Sequence, residues 1–210
     1  MKSYLIPAEP VMFTEEIKKS RFITLLQHTD GVDEAKQFIQ SVKDEYPDAR
    51  HHCWAFVAGR PDDSQQLGFS DDGEPTGTAG KPMIAPLLGS GIGEITAVVV
   101  RYFGGIKLGT GGLVRAYGSG VQQALKLLVT KTKIPQVICE ITCDYSFISQ
   151  AELVVRQVDG TIINSDFGSD VTLRISIPAT LLSEVSDKLR DLSRGCLSLN
   201  ALMTPPETDF

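Results

Sequence analysis

Long hydrophobic runs are missing from this 210-residue chain. The opening MKSYLIPAEP holds one apolar triplet before a proline, and nothing approaches the roughly 18 apolar residues of a membrane span. Neither a signal peptide nor a membrane anchor is expected. Cysteine is scarce: Cys53, Cys139, Cys143 and Cys196 show no CxxC spacing, which excludes a disulfide scaffold and leaves reduced thiols in a cytoplasm, expected as small buried hydrophobes. An excess of positive charge is also lacking. At a net charge of −6, the chain cannot coat nucleic acid by bulk electrostatics, because phosphate contacts need clustered Lys and Arg. What is present is a 42% hydrophobic content, enough for one large domain or two small ones with real cores.

The charge is unevenly placed. Residues 1–134 carry 15 Lys and Arg against 15 Asp and Glu, and residues 135–210 carry 5 against 11, which accounts for the whole of the −6. Any polyanion would meet the first part. The split coincides with the polar stretch Thr130-Lys131-Thr132-Lys133-Ile134-Pro135, read as the boundary between domains 1–134 and 135–204. Beyond it, periodicity predicts strands at 136–143, 161–165, 170–177 and 196–203, with helices at 147–158 and 179–193. Asp159-Gly160, Gly168-Ser169 and Arg194-Gly195 supply the turns. The order βαββαβ predicts a ferredoxin-like split βαβ domain. The tail 205–210, preceded by Thr204, has no periodicity and is expected to fray.

Before the boundary, the pattern predicts a mixed α+β domain. Strands are expected at 11–18, 22–27, 52–58 and 95–102. A helix starts at Asp30 with an apolar face of Val32, Ala35, Phe38, Ile39 and Val42, and Pro47 ends it. Further helices are predicted at 83–88 and 113–129. Residues 60–80 read as a long polar loop. The densest unusual composition is Phe103-Gly104-Gly105-Ile106-Lys107-Leu108-Gly109-Thr110-Gly111-Gly112, five glycines in ten residues between a strand and a helix. Amide groups at a helix start hold anions, and Arg101, Lys107 and Arg115 add charge there. The candidate phosphate or nucleic-acid site is therefore Arg101, Gly104, Gly105, Lys107, Gly109, Thr110, Gly111, Gly112 and Arg115. Asp71, Asp72 and Glu74 form a candidate accessory loop beside it. Its carboxylates are suited to a divalent cation or to orienting Arg101, which has a rival structural role as a partner of Asp71 or Asp72.

Other chemistries find less support. In the segment Gly77-Thr78-Ala79-Gly80-Lys81-Pro82, Pro75 and Pro82 occupy the places that a phosphate loop gives to glycine and Ser/Thr. No GxGxxG follows Gly104. His51, His52 and Cys53 match no zinc spacing, and no serine sits in a nucleophile elbow. No metal and no cofactor are expected.

Gly80, Met83, Ile84, Leu87, Ile92, Val98, Val99, Arg101, Tyr102, Phe103, Gly104, Gly105, Leu108 and Gly109 fall at the spacing that defines the IMPACT/YigZ family. The chain resembles its bacterial members over essentially its whole length. The resemblance implies an N-terminal domain like domain IV of elongation factor G and a domain of a small-subunit ribosomal protein, and a C-terminal domain like domain V of that factor. Eukaryotic members are similar to translation regulators that act through an additional N-terminal module not seen in this chain, so their kinase-linked role is not carried over. The reading is a non-enzymatic RNA- or ribosome-binding protein, associated with translation. Its alternatives are an enzyme or sensor for a small phosphorylated ligand at the glycine segment, and a protein-interaction regulator.

Overall fold

The computed structural model describes residues 2–202; the tail expected to fray lies outside them. The chain divides into two compact units, one of Tyr4–Lys133 and one built on the chain from Ile134 onward.

The first unit contains β1 (Tyr4–Pro7), β2 (Val11–Ile17), β3 (Ser20–His28), α1 (Val32–Glu45), β4 (His51–Val57), β5 (Leu67–Ser70), α2 (Gly80–Ser90), β6 (Ile95–Tyr102), α3 (Thr110–Leu127) and β7 (Thr130–Lys133). Five strands form an antiparallel sheet in the order β2-β3-β6-β4-β5. Central β6 is an almost unbroken apolar run because both of its faces are covered. Ile95, Ala97 and Val99 pack with Met83 and Leu87 of α2 and Ala116, Tyr117 and Val121 of α3. Val98 and Val100 pack with Ala35, Ile39 and Val42 of α1 on the other side.

Several local expectations change. Gly31, not Asp30, caps α1, and the Asp30 carboxylate instead binds Lys133 Nζ at 2.7 Å. The loop at 60–80 contains a 3-10 turn, Ser64–Gln66, and the strand β5. Helix α3 begins at Thr110, three residues before the predicted Leu113, so Gly111 and Gly112 lie in its first turn. The polar stretch at the boundary is not a linker: Thr130–Lys133 pairs as β7 with β1, from Tyr4 opposite Lys133 to Pro7 opposite Thr130. Four alternating Thr and Lys residues carry no apolar signal, so only their partner reveals them as a strand.

The second unit runs β8 (Gln136–Cys143), α4 (Ile148–Gln157), β9 (Thr161–Phe167), β10 (Val171–Pro178), α5 (Leu182–Leu192) and β11 (Ser198–Ala201). Its antiparallel sheet has the order β11-β8-β10-β9, the βαββαβ arrangement that the periodicity predicts. Cys139, Ile141 and Cys143 alternate inward against Val154, Val155, Val185 and Leu189. The opposite positions are mostly polar, Ile138 excepted, with Arg174 bonded to Glu140 at 3.0 Å. Three cysteines are buried, but Cys196 is exposed, against expectation. It follows the tight turn at Arg194 and Gly195, both at positive φ.

Candidate nucleic-acid interface

Alternation along β6 puts Arg101 on the face of Val99, opposite Val100 and Tyr102. There it is buried, 6% exposed. Its Nη1 donates to Glu74 Oε1 at 2.7 Å, and the Tyr117 hydroxyl donates to the same oxygen at 2.6 Å. Nη2 reaches Ser20 Oγ at 3.4 Å. The guanidinium lies 5.5 Å from the Phe22 ring centroid and 5.6 Å from that of Phe103. Arg101 is thus a buried, paired cation that holds Phe103 from beneath, not one offered to solvent. Burial, then Cys53 and Glu74, push the Tyr117 hydroxyl far above its usual range, so it stays a donor. Burial also pushes the Cys53 thiol up to about 12, leaving no thiolate near neutral pH.

The acidic loop lies beside Arg101 through Glu74 alone. Asp71 accepts from the amides of Gly77, Ala79 and Gly80 at 2.8, 3.0 and 2.9 Å, closing the start of α2. Burial opposes its ionisation, but the three amide bonds together win and hold the carboxyl below its usual range. Asp72 accepts from the His52 amide at 2.7 Å and from Lys43 Nζ at 3.4 Å. His51 Nδ1 donates to the Asp72 carbonyl and His52 Nε2 to the Tyr46 carbonyl, each at 2.9 Å. Those ring nitrogens are occupied as donors. Among the described residues, no group of three or more His, Cys, Asp or Glu side chains converges as a metal site would.

The glycine segment is on the surface. Gly105, Lys107, Gly109, Thr110, Gly111 and Arg115 are exposed, and Gly104 and Gly112 partly so. Gly109 and Gly105 take positive φ, and no side chain caps α3, so its first-turn amides stay open. Arg115 falls in the second turn of α3, past the reach of the N-terminal dipole. It lines a groove of about 470 Å³ with Pro82, Pro86 and Val114. Gly104 meets the turn between β2 and β3 so closely that a Cβ would sit 1.9 Å from the Lys19 carbonyl oxygen.

That contact brings in cations that the sequence reading missed. Lys18 and Lys19 form the two-residue hairpin turn, at φ 49° and 64°. Arg21 pairs across the sheet with Tyr102, its guanidinium 4.6 Å from the ring centroid. Arg50 precedes His51, which pairs with Arg101, so it continues the register to the other side of Tyr102. Lys18, Lys19, Arg21, Arg50 and Lys107 are exposed and enter no salt bridge among the described residues. Phe103 stands among them half exposed, at 49%. The doublet Lys18-Lys19 between two alternating runs was the one available signal.

Residues 18–125 match the Impact N-terminal domain, and residues 141–195 match a domain of unknown function. The chain is 63% identical to the IMPACT family member YigZ of Escherichia coli K12, over 96% of this chain and 99% of that protein. The chain belongs to the IMPACT family. An IMPACT family member of Haemophilus influenzae is 52% identical over 96% of this chain and 98% of its own. IMPACT family member YvyE of Bacillus subtilis is 36% identical over 85% and 82%. A crystal structure of a hypothetical protein, 62% identical, has a TM-score of 0.79 and covers 98% of this chain and 100% of its own. All the cations of the interface fall within the matched IMPACT domain.

Proposed function

We propose that this protein binds RNA in single-stranded form, alone or within the ribosome, and does so without catalysis. The observation that carries the reading is the set of exposed cations without a salt-bridge partner among the described residues, Lys18, Lys19, Arg21, Arg50 and Lys107, on the segments that meet the exposed ring of Phe103 and the glycine segment. Lys and Arg neutralise phosphates, and an exposed aromatic face stacks on an unpaired base. The open amides of the glycine segment add acceptor-seeking donors beside them. The described residues of the second unit are less suited: its open sheet face presents Glu140, Thr142, Thr172 and Arg174, and its exposed aromatic pair, Tyr145 and Phe167, is flanked in sequence by Asp144 and Asp166 rather than by cations. The family resemblance, with its implied translation-factor domains, points the same way.

Co-sedimentation with ribosomes and fluorescence anisotropy with a labelled single-stranded RNA, each across a salt series, test the reading. Affinity falls steeply as salt rises, with a log–log slope near 0.7 per phosphate neutralised. The double substitution Arg50→Ala and Lys107→Ala leaves folding intact, weakens binding and lowers that slope by about one to two, whereas Arg115→Ala, in the separate groove, changes it less. Unchanged affinity and slope in the folded double variant refute the role of these two cations. Absence of any salt-sensitive binding refutes the function.

A further inference from the structure

Beside Phe103 the surface sinks into a concavity of about 390 Å³ lined by Asp48, Arg50, Tyr102 and Phe103. We propose that this concavity is a recognition site for one unpaired guanine base of a single-stranded RNA; the proposal rests on the RNA-binding reading above and adds base identity to it. Its volume lies at the lower end for small-molecule sites, the size of one nucleoside and too small for a base pair. Two of its walls are aromatic, and both rings are braced. Phe103 is backed by the buried Arg101, itself clamped by Glu74 and Ser20. Tyr102 carries the Arg21 guanidinium 4.6 Å from its centroid. A ring that is already fixed loses little freedom when a base stacks on it.

Asp48 supplies the selectivity. It is exposed, forms no salt bridge among the described residues, and shares the concavity with Arg50, a cation that attracts phosphate. A carboxylate there repels the RNA backbone and is favourable only where it meets hydrogen-bond donors. Both of its oxygens accept and neither donates. Guanine presents two adjacent donors on its Watson–Crick edge, the ring N1–H and the exocyclic amino group, which match the two oxygens. Adenine and cytosine each offer a single amino group beside an acceptor, and uracil one N–H between two acceptors. Arg50, in the same lining, takes the adjoining phosphate, and the next one runs toward Lys18 and Lys19, where the hairpin turn meets Gly104. Reading of a Watson–Crick edge requires a base outside a duplex, the usual target of sequence-specific RNA recognition.

The test is fluorescence anisotropy at low salt with labelled octauridine and the same strand carrying one central guanine, inosine, adenine or cytosine. Guanine raises affinity about tenfold over octauridine, and inosine, which lacks the amino group, retains only part of that gain. Asp48→Asn abolishes the guanine gain while octauridine binds as well or better, because a negative charge has gone. Phe103→Ala weakens every strand and loses the gain; Phe103→Trp keeps both, which separates loss of stacking from loss of fold. If the wild-type protein binds all strands without preferring guanine, or if Asp48→Asn keeps the preference, the guanine site is wrong and the RNA-binding reading stands. If no strand binds, both fall.

Discussion

Lys18 and Lys19 occupy left-handed backbone positions that a two-residue hairpin turn favours filling with Asn-Gly. Side chains at such φ cost about 1–2 kcal/mol per residue, and two adjacent lysines also repel. The strain is consistent with retention of charge for binding. The substitution Lys18→Asn with Lys19→Gly is therefore expected to stabilise the fold by about 1 kcal/mol while weakening RNA binding and flattening its salt dependence, as thermal denaturation and anisotropy together will show. Binding that stays unchanged in the stabilised variant removes the hairpin from the interface. Arg101 illustrates the opposite case. Its type and position were legible, and pairing with the acidic loop was one of two readings of it, but the partner was not, because the sequence does not reveal that Glu74, rather than Asp71 or Asp72, reaches back to it or that Tyr117 shares the same carboxylate oxygen.

Among the elements, the hairpin of β2 and β3 depends on Gly104. A Cβ there would strike the Lys19 carbonyl, backbone that cannot rotate away. Gly104→Ala is expected to destabilise the first unit by about 1–3 kcal/mol and to raise hydrogen exchange at residues 17–21; a neutral substitution would show that the hairpin is not seated on the glycine segment. Helix α2 depends on Asp71, whose carboxyl is held below its ordinary value. A depressed carboxyl contributes stability that is complete above the unfolded value of about 4 and lost as pH falls through the lower folded value. The wild-type protein accordingly loses stability at acid pH more steeply than Asp71→Ala, and equal slopes in chemical denaturation would deny Asp71 this role. The periodic elements were legible because each carries its own apolar repeat: β6, Ile95–Tyr102, and β8, Gln136–Cys143, stand where the pattern puts them. Strand β5 and the first turn of α3 were not, since glycines and polar residues carry no such repeat.

Across the whole molecule, the charge split and the two cores suggest that each unit folds by itself, but the first unit needs β7. Lys133 binds Asp30 and Glu94 at 2.7 and 2.6 Å, and Tyr4 and His28 bind the same buried Glu94. A fragment of residues 1–134 is expected to unfold cooperatively, as is a fragment of 135–210. One ending at residue 129 leaves Glu94 buried without its cation and is expected to be markedly less stable. Circular dichroism melts of the three fragments check this, and failure of 135–210 to fold alone defeats the separation. By itself, the sequence determined what repeats locally: the α+β class, the βαββαβ order, the glycine segment and the family, each written in residues near one another in the chain. Only the tertiary structure decided which side chains are available. Pairing distant strands commits Arg101 to Glu74 and Lys133 to Glu94. The same pairing leaves Lys18, Lys19, Arg21 and Arg50 exposed and without a salt-bridge partner among the described residues, because a cation's freedom depends on partners that only long-range pairing brings near.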